Sequence, residues 1–440
     1  MTEFLRSPRR RLPGALAAAL LSMLGAEPEP ALGQDLSWSA FGTLGYARSN
    51  RDYAYRRHID SDGTLQADSV LGGQADLRFG PQWSATVQLR AAPSLKSDAR
   101  WDLTPAWAFL AWRPGDDWLL RAGKMRVPLY LNSEVMDVGV TYDLARLPQE
   151  MYSIVPSTDF VGAAAARTWM LGERELALDA YAGEIGTTAR FWLRDGVPPQ
   201  MAAGANFRDI RVQSAGLVLT MRSVNGTWRA GVHGARTSMR SGAPMVVSYP
   251  FVEVAPGLGY YQVSDQLPGP GARVTGSVRN LIYTVGVDQA LAPGWRLMGE
   301  FAANVQRGTE LGSDSRGGYV ALLRTVGRFT PYASWARLKS SDGRLDWAQR
   351  LTTQRLPATI PGAALINAAQ RAAGETGYAV DQSTLALGGS YGVRPGQKVK
   401  LEWAHTRIGR LSRFVDTLPG SETPSRTGID VLSASYSFSF

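Results

Sequence analysis

Leu432-Ser433-Ala434-Ser435-Tyr436-Ser437-Phe438-Ser439-Phe440 closes the chain. A period of two places Leu432, Ala434, Tyr436, Phe438 and Phe440 on one face of a strand and the four serines on the other. One face is apolar and aromatic, the other small and polar. Such a strand suits a boundary with lipid on one side and water on the other, as at the closing strand of a transmembrane β-barrel.

Upstream segments repeat the pattern. In residues 82–92, Trp83, Ala85, Val87, Leu89 and Ala91 alternate with Gln82, Ser84, Thr86, Gln88 and Arg90. In residues 295–306, Trp295, Leu297, Gly299, Phe301, Ala303 and Val305 oppose Arg296, Glu300, Asn304 and Gln306. A dry core would charge several kcal/mol for each such ion, so the polar face needs water. Short turns are expected at 80–82, 113–117, 171–174, 222–226, 291–294, 326–328 and 392–397, several of them carrying Pro-Gly or Asn-Gly. Longer loops are expected at 48–69, 93–100, 126–159, 185–207, 236–279, 308–317, 339–379 and 408–427. Seven turns on one rim and eight loops on the other imply an all-β, antiparallel up-and-down barrel of about 16 strands. Two segments fit poorly: 101–112 is apolar on both faces, and 210–221 slips phase near Ser214. Trp83, Trp118, Trp228, Trp295 and Phe329 each follow a short turn closely, which reads as an interfacial girdle.

Composition agrees. No apolar run beyond the N-terminus reaches the ~20 residues of a membrane helix. Yet 44% of residues are hydrophobic, with 47 Gly and 13 Trp, and the mean hydropathy is −0.16. Alternating lipid-facing and water-facing positions average to that value. There is no cysteine, so neither a disulfide framework nor a thiolate metal site is expected. Arg6, Arg9, Arg10 and Arg11 precede an apolar stretch at 15–24, and Ala31-Leu32-Gly33 offers a small-residue cleavage site. Residues 1–33 therefore read as a secretory signal peptide, leaving 34–440 as one barrel domain. Its removal moves the net charge from +9 to +8.

The histidines give no catalytic constellation. The three are dispersed: His58 in the first loop, His233 facing the lumen, His405 on the lipid side. His-Glu-x-x-His does not occur, and no enzyme, cofactor or metal is expected. Asp60-Ser-Asp62-Gly63 reads as a loop turn, because no glutamate completes a calcium loop. Positive charge is spread rather than gathered in a tail, which argues against nucleic acid. The inward parity carries Arg78, Arg90, Arg121, Arg229, Arg324, Arg337, Lys398 and Lys400, with Asp76, Asp179, Asp288, Glu300, Glu402 and Asp430. Inward cations bias a channel toward anions. The third loop is long and apolar, and it carries Glu134, Asp137, Asp143, Glu150 and Asp159 against Arg126 and Arg146. A loop of that composition packs on something. Folded inward, it is expected to narrow the lumen and set an acidic face opposite the basic wall; folded outward, it would cover a neighbouring protomer.

Tyr436, Phe438 and Phe440 resemble the C-terminal assembly signal of Gram-negative outer-membrane proteins. With sixteen strands and a long third loop, the chain resembles the Gram-negative porins. The segment Leu120-Arg121-Ala122-Gly123-Lys124-Met125-Arg126-Val127-Pro128-Leu129 resembles a strand motif of the phosphate-selective porin O/P and related groups. Those members carry dense Arg and Lys ladders, whereas the charges here are mixed. The resemblance implies an outer-membrane diffusion channel for small hydrophilic solutes or anions, usually a homotrimer. It also implies contact with lipid, lipopolysaccharide and the barrel-assembly machinery. A receptor or adhesin barrel would instead act through the loops at 236–279 and 339–379, the second with a helix-compatible stretch at 363–373.

Overall fold

The structure, a computed structural model, describes residues 35–155 and 157–440. The signal peptide expected at 1–33 lies outside them. Sixteen strands close into one antiparallel barrel. The first eight are β1 (Asp35–Ser49), β2 (Val70–Arg78), β3 (Trp83–Pro93), β4 (Trp101–Trp112), β5 (Trp118–Arg126), β6 (Asp159–Leu171), β7 (Arg174–Leu193) and β8 (Gly204–Ser223). The rest are β9 (Gly226–Met239), β10 (Val278–Ala292), β11 (Trp295–Arg307), β12 (Ser315–Arg324), β13 (Phe329–Ser340), β14 (Val380–Arg394), β15 (Gln397–Ser412) and β16 (Gly428–Ser439). Each pairs with its sequence neighbours, and β16 closes on β1 from Phe41↔Ser439 to Ser49↔Val431. All seven expected turns fall between strands on one rim, and eight longer loops span the other. The fourth loop is shorter than expected, residues 194–203, because β7 and β8 run on in register to Leu193↔Gly204.

The outer surface is apolar. Leu44, Val87, Leu217, Phe301, Trp335, Leu401 and Leu432 are all exposed on it. Trp83, Trp118, Trp228, Trp295 and Phe329 stand outward by the short turns, and Trp83 stacks on Trp112 at 5.6 Å. Thr86, Gln88, His233, Thr284, Glu300, Lys400, Glu402 and Ser437 take the opposite parity and are buried inside. An apolar exterior over a closed ladder is what a bilayer demands, since no backbone group is left unpaired in lipid.

The two poorly fitting segments have separate causes. In β4, Gln88 pairs with Trp107 and Leu89 with Pro105, so Ala106 is an unopposed extra residue. This bulge switches the parity: Leu103 faces out below it in sequence, Leu110 faces out after it, and Phe109 faces in. In β8 there is no bulge. Even-numbered residues face inward throughout; the apparent slip arises because Ile210 and Val212, although inward, pack in an apolar cluster with the third loop.

Three inward assignments are corrected. Arg324 pairs directly with outward Trp295, lies over its ring at 5.1 Å and faces out at the turn rim. Arg337 shares the parity of exposed Trp335 and pairs with Asp381 on the outer face at 2.5 Å. Asp430 shares the parity of Leu432 and meets His405 outside the barrel at 2.8 Å. The sequence hides the first two orientations because Tyr319, Ala321, Leu323, Ala336 and Leu338 are apolar and face inward against the third loop. Apolar residues therefore stand on both faces of β12 and β13, which blurs the phase that alternation would give.

Candidate functional site

Residues 127–155 leave β5 and run against the inner wall instead of over the rim. Val127, Leu129, Tyr130, Leu144, Met151 and Ile154 are buried with inward residues of the wall such as Tyr181, Ile282, Met298, Tyr319, Tyr332 and Leu338. The apolar loop composition thus has its partner, a patch of barrel wall that is itself apolar. Two glycines mark where backbone and wall nearly touch. A Cβ on Gly317 would lie 2.2 Å from the Glu150 carbonyl oxygen, and one on Gly139 would lie 2.5 Å from the hydroxyl oxygens of Thr43 and Ser437.

Polar contacts pin the loop all round the lumen. Glu300 accepts from the Leu131 amide at 2.8 Å and the Tyr152 hydroxyl at 2.7 Å. Arg229 donates to the Tyr130 carbonyl at 2.8 Å. Lys400 donates to the carbonyls of Gly139 at 2.6 Å and Leu144 at 3.0 Å, with its ammonium 4.0 Å from the Tyr142 ring centre. The Tyr332 hydroxyl accepts from the Ala145 amide and donates to Glu402. Arg146 pairs with Asp68 of the first loop. Glu150 is buried and accepts from Gln382 at 2.7 Å and Thr384 at 2.6 Å.

The remaining expected site residues are brought together, but in contact rather than across open water. Arg90 meets Asp137 at 2.8 Å, and Arg126 pairs with the same carboxylate. Lys398 meets Asp143 at 2.7 Å, with Arg296 of the wall 3.8 Å from it. Arg121 stands 3.8 Å from Glu134 and 5.9 Å over the Phe109 ring. Arg78 takes the inward parity at the turn-side mouth and is exposed. The loop acids stand against cations of the wall, and most of these charges are paired rather than separated by water. Burial opposes ionisation of Asp143, but hydrogen bonds from Lys398 and Ser390, with the charges of Lys398 and Arg296, outweigh it and hold its carboxyl below the ordinary value. Burial likewise opposes ionisation of Asp68, and the Arg146 guanidinium overrides it and keeps that carboxyl low. Sequence reading found the inward cations and the loop acids but not the tyrosine–carboxylate clamps at Glu300 and Glu402. Their signal was present as inward acids beside tyrosines, but which loop residue faces which strand is set across the lumen and leaves no trace in local periodicity.

His233 lies between Tyr181 at 3.0 Å and Thr284 at 3.2 Å, His405 is outside on Asp430, and His58 is in the first loop. Asp60 accepts from the amides of Asp62 and Gly63, a local turn as expected. Among the described residues no group of three His, Cys, Asp or Glu could hold a metal ion.

No protein-family model and no curated protein matches the sequence. Solved structures do match. OmpT of Vibrio cholerae superposes with a TM-score of 0.51 at 11% identity, covering 94% of this chain and 100% of that one. The outer-membrane channel DcaP of Acinetobacter baumannii gives 0.50 at 12% identity, with 94% and 100% covered. The fold is an outer-membrane barrel. At such identity the likeness is one of fold, and it agrees with the closed sixteen-strand ladder and apolar exterior. An in-vitro folded form of the Vibrio OmpT, described as a trimer, superposes with a TM-score of 0.51 at 11% identity over 92% of this chain and 100% of that one.

Proposed function

We propose that this barrel is a diffusion pore of the outer membrane for small hydrophilic solutes, narrowed by residues 127–158 and weakly anion-preferring. The observation that carries the reading is the third loop, pinned inside the barrel by contacts from at least six strands while Arg121, Glu134, Asp179 and Arg229 keep charge on the inner surface. A loop held this way sets the bore without closing the fold on itself. DcaP, which shares the fold, is described as a channel. Val161, Ala163 and Ala165 line the outer face of β6, and small outward residues suit barrel-to-barrel packing in a trimer. The remaining outer face meets lipid and lipopolysaccharide. Refolded protein in a planar bilayer should give discrete steps whose size scales with salt, and cross-linking in mild detergent should return trimers. Heat-modifiable, correctly folded protein that gives no steps would remove the pore and leave the receptor or adhesin reading. Cross-linking to monomers alone would remove the trimer.

A further inference from the structure

A second site lies on the long-loop side, lined by no residue of the docked third loop. The outer ends of β7 and β15, the helices α1 (Asp342–Thr353) and α2 (Ala363–Thr376), and the last loop enclose a cavity of about 590 Å³. That falls in the size range of small-molecule sites. Arg190, Arg194, Arg410, Arg413 and Arg426 line it, against one carboxylate, Glu375. Three of the arginines are occupied: Arg190 by Asp98 and Asp416, Arg194 by Asp195, Arg410 by Asp346. Arg413 is different. Among the described residues no carboxylate pairs with it; its guanidinium donates once, to the Arg190 carbonyl at 2.7 Å, and lies 5.0 Å over the Tyr378 ring. Among the described residues, most of its five N–H donors have no acceptor. Arg426 is exposed and its side chain has no partner among the described residues.

The rest of the lining is apolar where it counts. The Trp192 indole is fixed by its N–H to the Thr417 carbonyl at 2.8 Å, with the Arg190 guanidinium 5.5 Å over the ring. Leu411 and Val415 continue that wall. The carboxylate near Arg413, Asp416, is held by Arg190, which leaves the planar fork of this half-buried guanidinium to match another carboxylate. We propose that this cavity binds a small organic acid, its carboxylate held by Arg413 and Arg426 and its apolar body against Trp192 and Leu411. An inorganic anion would use the arginines and leave the apolar wall unfilled. The inference goes beyond the pore reading and depends on it only for the cavity's role as an outer antechamber to the lumen.

Equilibrium dialysis of folded full-length protein in detergent against labelled benzoate tests it without any conductance. Saturable binding of one benzoate per chain is expected, with benzamide and inorganic phosphate competing poorly. R413Q should weaken it by at least about tenfold, the scale of one lost charge-assisted pair, and R413K should recover part. S425W, in an exposed loop and on the cavity lining, should block it by filling space without changing charge. If R413Q fails the heat-modifiability check, S425W still decides. No saturable benzoate binding by the wild type, or wild-type binding in S425W, would overturn the proposal, and phosphate competing as well as benzoate would overturn the organic-acid assignment. Benzoate binding with no bilayer conductance would remove the pore and keep the site.

Discussion

Phe440 is 64% exposed on the outer face, yet its backbone makes the last rung of the seam. Its N–H donates to the Ala40 carbonyl at 2.9 Å and its carbonyl accepts from the Ala40 N–H at 3.3 Å. Its ring lies 5.4 Å from Phe438, which lies 6.1 Å from Tyr436. A charged residue near the membrane interface costs only ~0–1 kcal/mol in a folded barrel. Phe440→Asp should therefore lower the yield of heat-modifiable protein in outer-membrane fractions severalfold, while the protein that does fold melts close to the wild type. Normal yield would show that this aromatic end is not an assembly element. This residue was legible because it stands exposed on the outer face within an unmixed alternation of aromatics and serines. Arg324 and Arg337 were not, because apolar residues of β12 and β13 also face inward beneath the third loop, and apolar residues on both faces blur the phase.

At the scale of elements, the long apolar third loop was legible as a segment needing a partner, and the partner proved to be the inner wall. Its docking leans on carboxylates whose folded values are depressed, Asp143 by Lys398, Ser390 and Arg296 and Asp68 by Arg146, each against an opposing effect of burial. A depressed carboxylate contributes stability that is fully present above its ordinary value, ~3.9, and is lost as pH falls through the lower folded value. Single-channel conductance and open-channel noise should thus stay flat from neutral pH down to about pH 4 and rise below it. D143N should show the raised noise already at neutral pH. A rise in the wild type between about pH 7 and about pH 5 would mean that other groups hold the loop.

For the whole molecule, strand number and orientation followed from turns and girdle, while the electrostatics depended on the closed form. Closure and the inward loop bring Asp137 to Arg90, Asp143 to Lys398 and Glu134 near Arg121, pairing charges that lie far apart in sequence. Outside these ion pairs the inner surface keeps both signs: Arg78 at the mouth, Arg229 and Lys400 bonded to loop carbonyls, and Glu300 and Glu402 held by tyrosine hydroxyls. The proposed anion preference would rest on few charges in water and so be easily screened. Joint neutralisation of Glu134, Asp137 and Asp143 should release Arg90, Arg121 and Lys398, raising the anion preference and the tolerated solute size together. Neutralising Arg90 and Arg121 should leave Asp137 to Arg126 alone and Glu134 without its nearby guanidinium, shifting the reversal potential toward cations. Both shifts should shrink as the Debye length falls from ~10 Å at about 0.1 M salt to ~3 Å at about 1 M. Reversal potentials that stay at the wild-type value in both sets would show that ions pass the barrel without meeting the docked loop, and the constriction would have to lie elsewhere on its inner face.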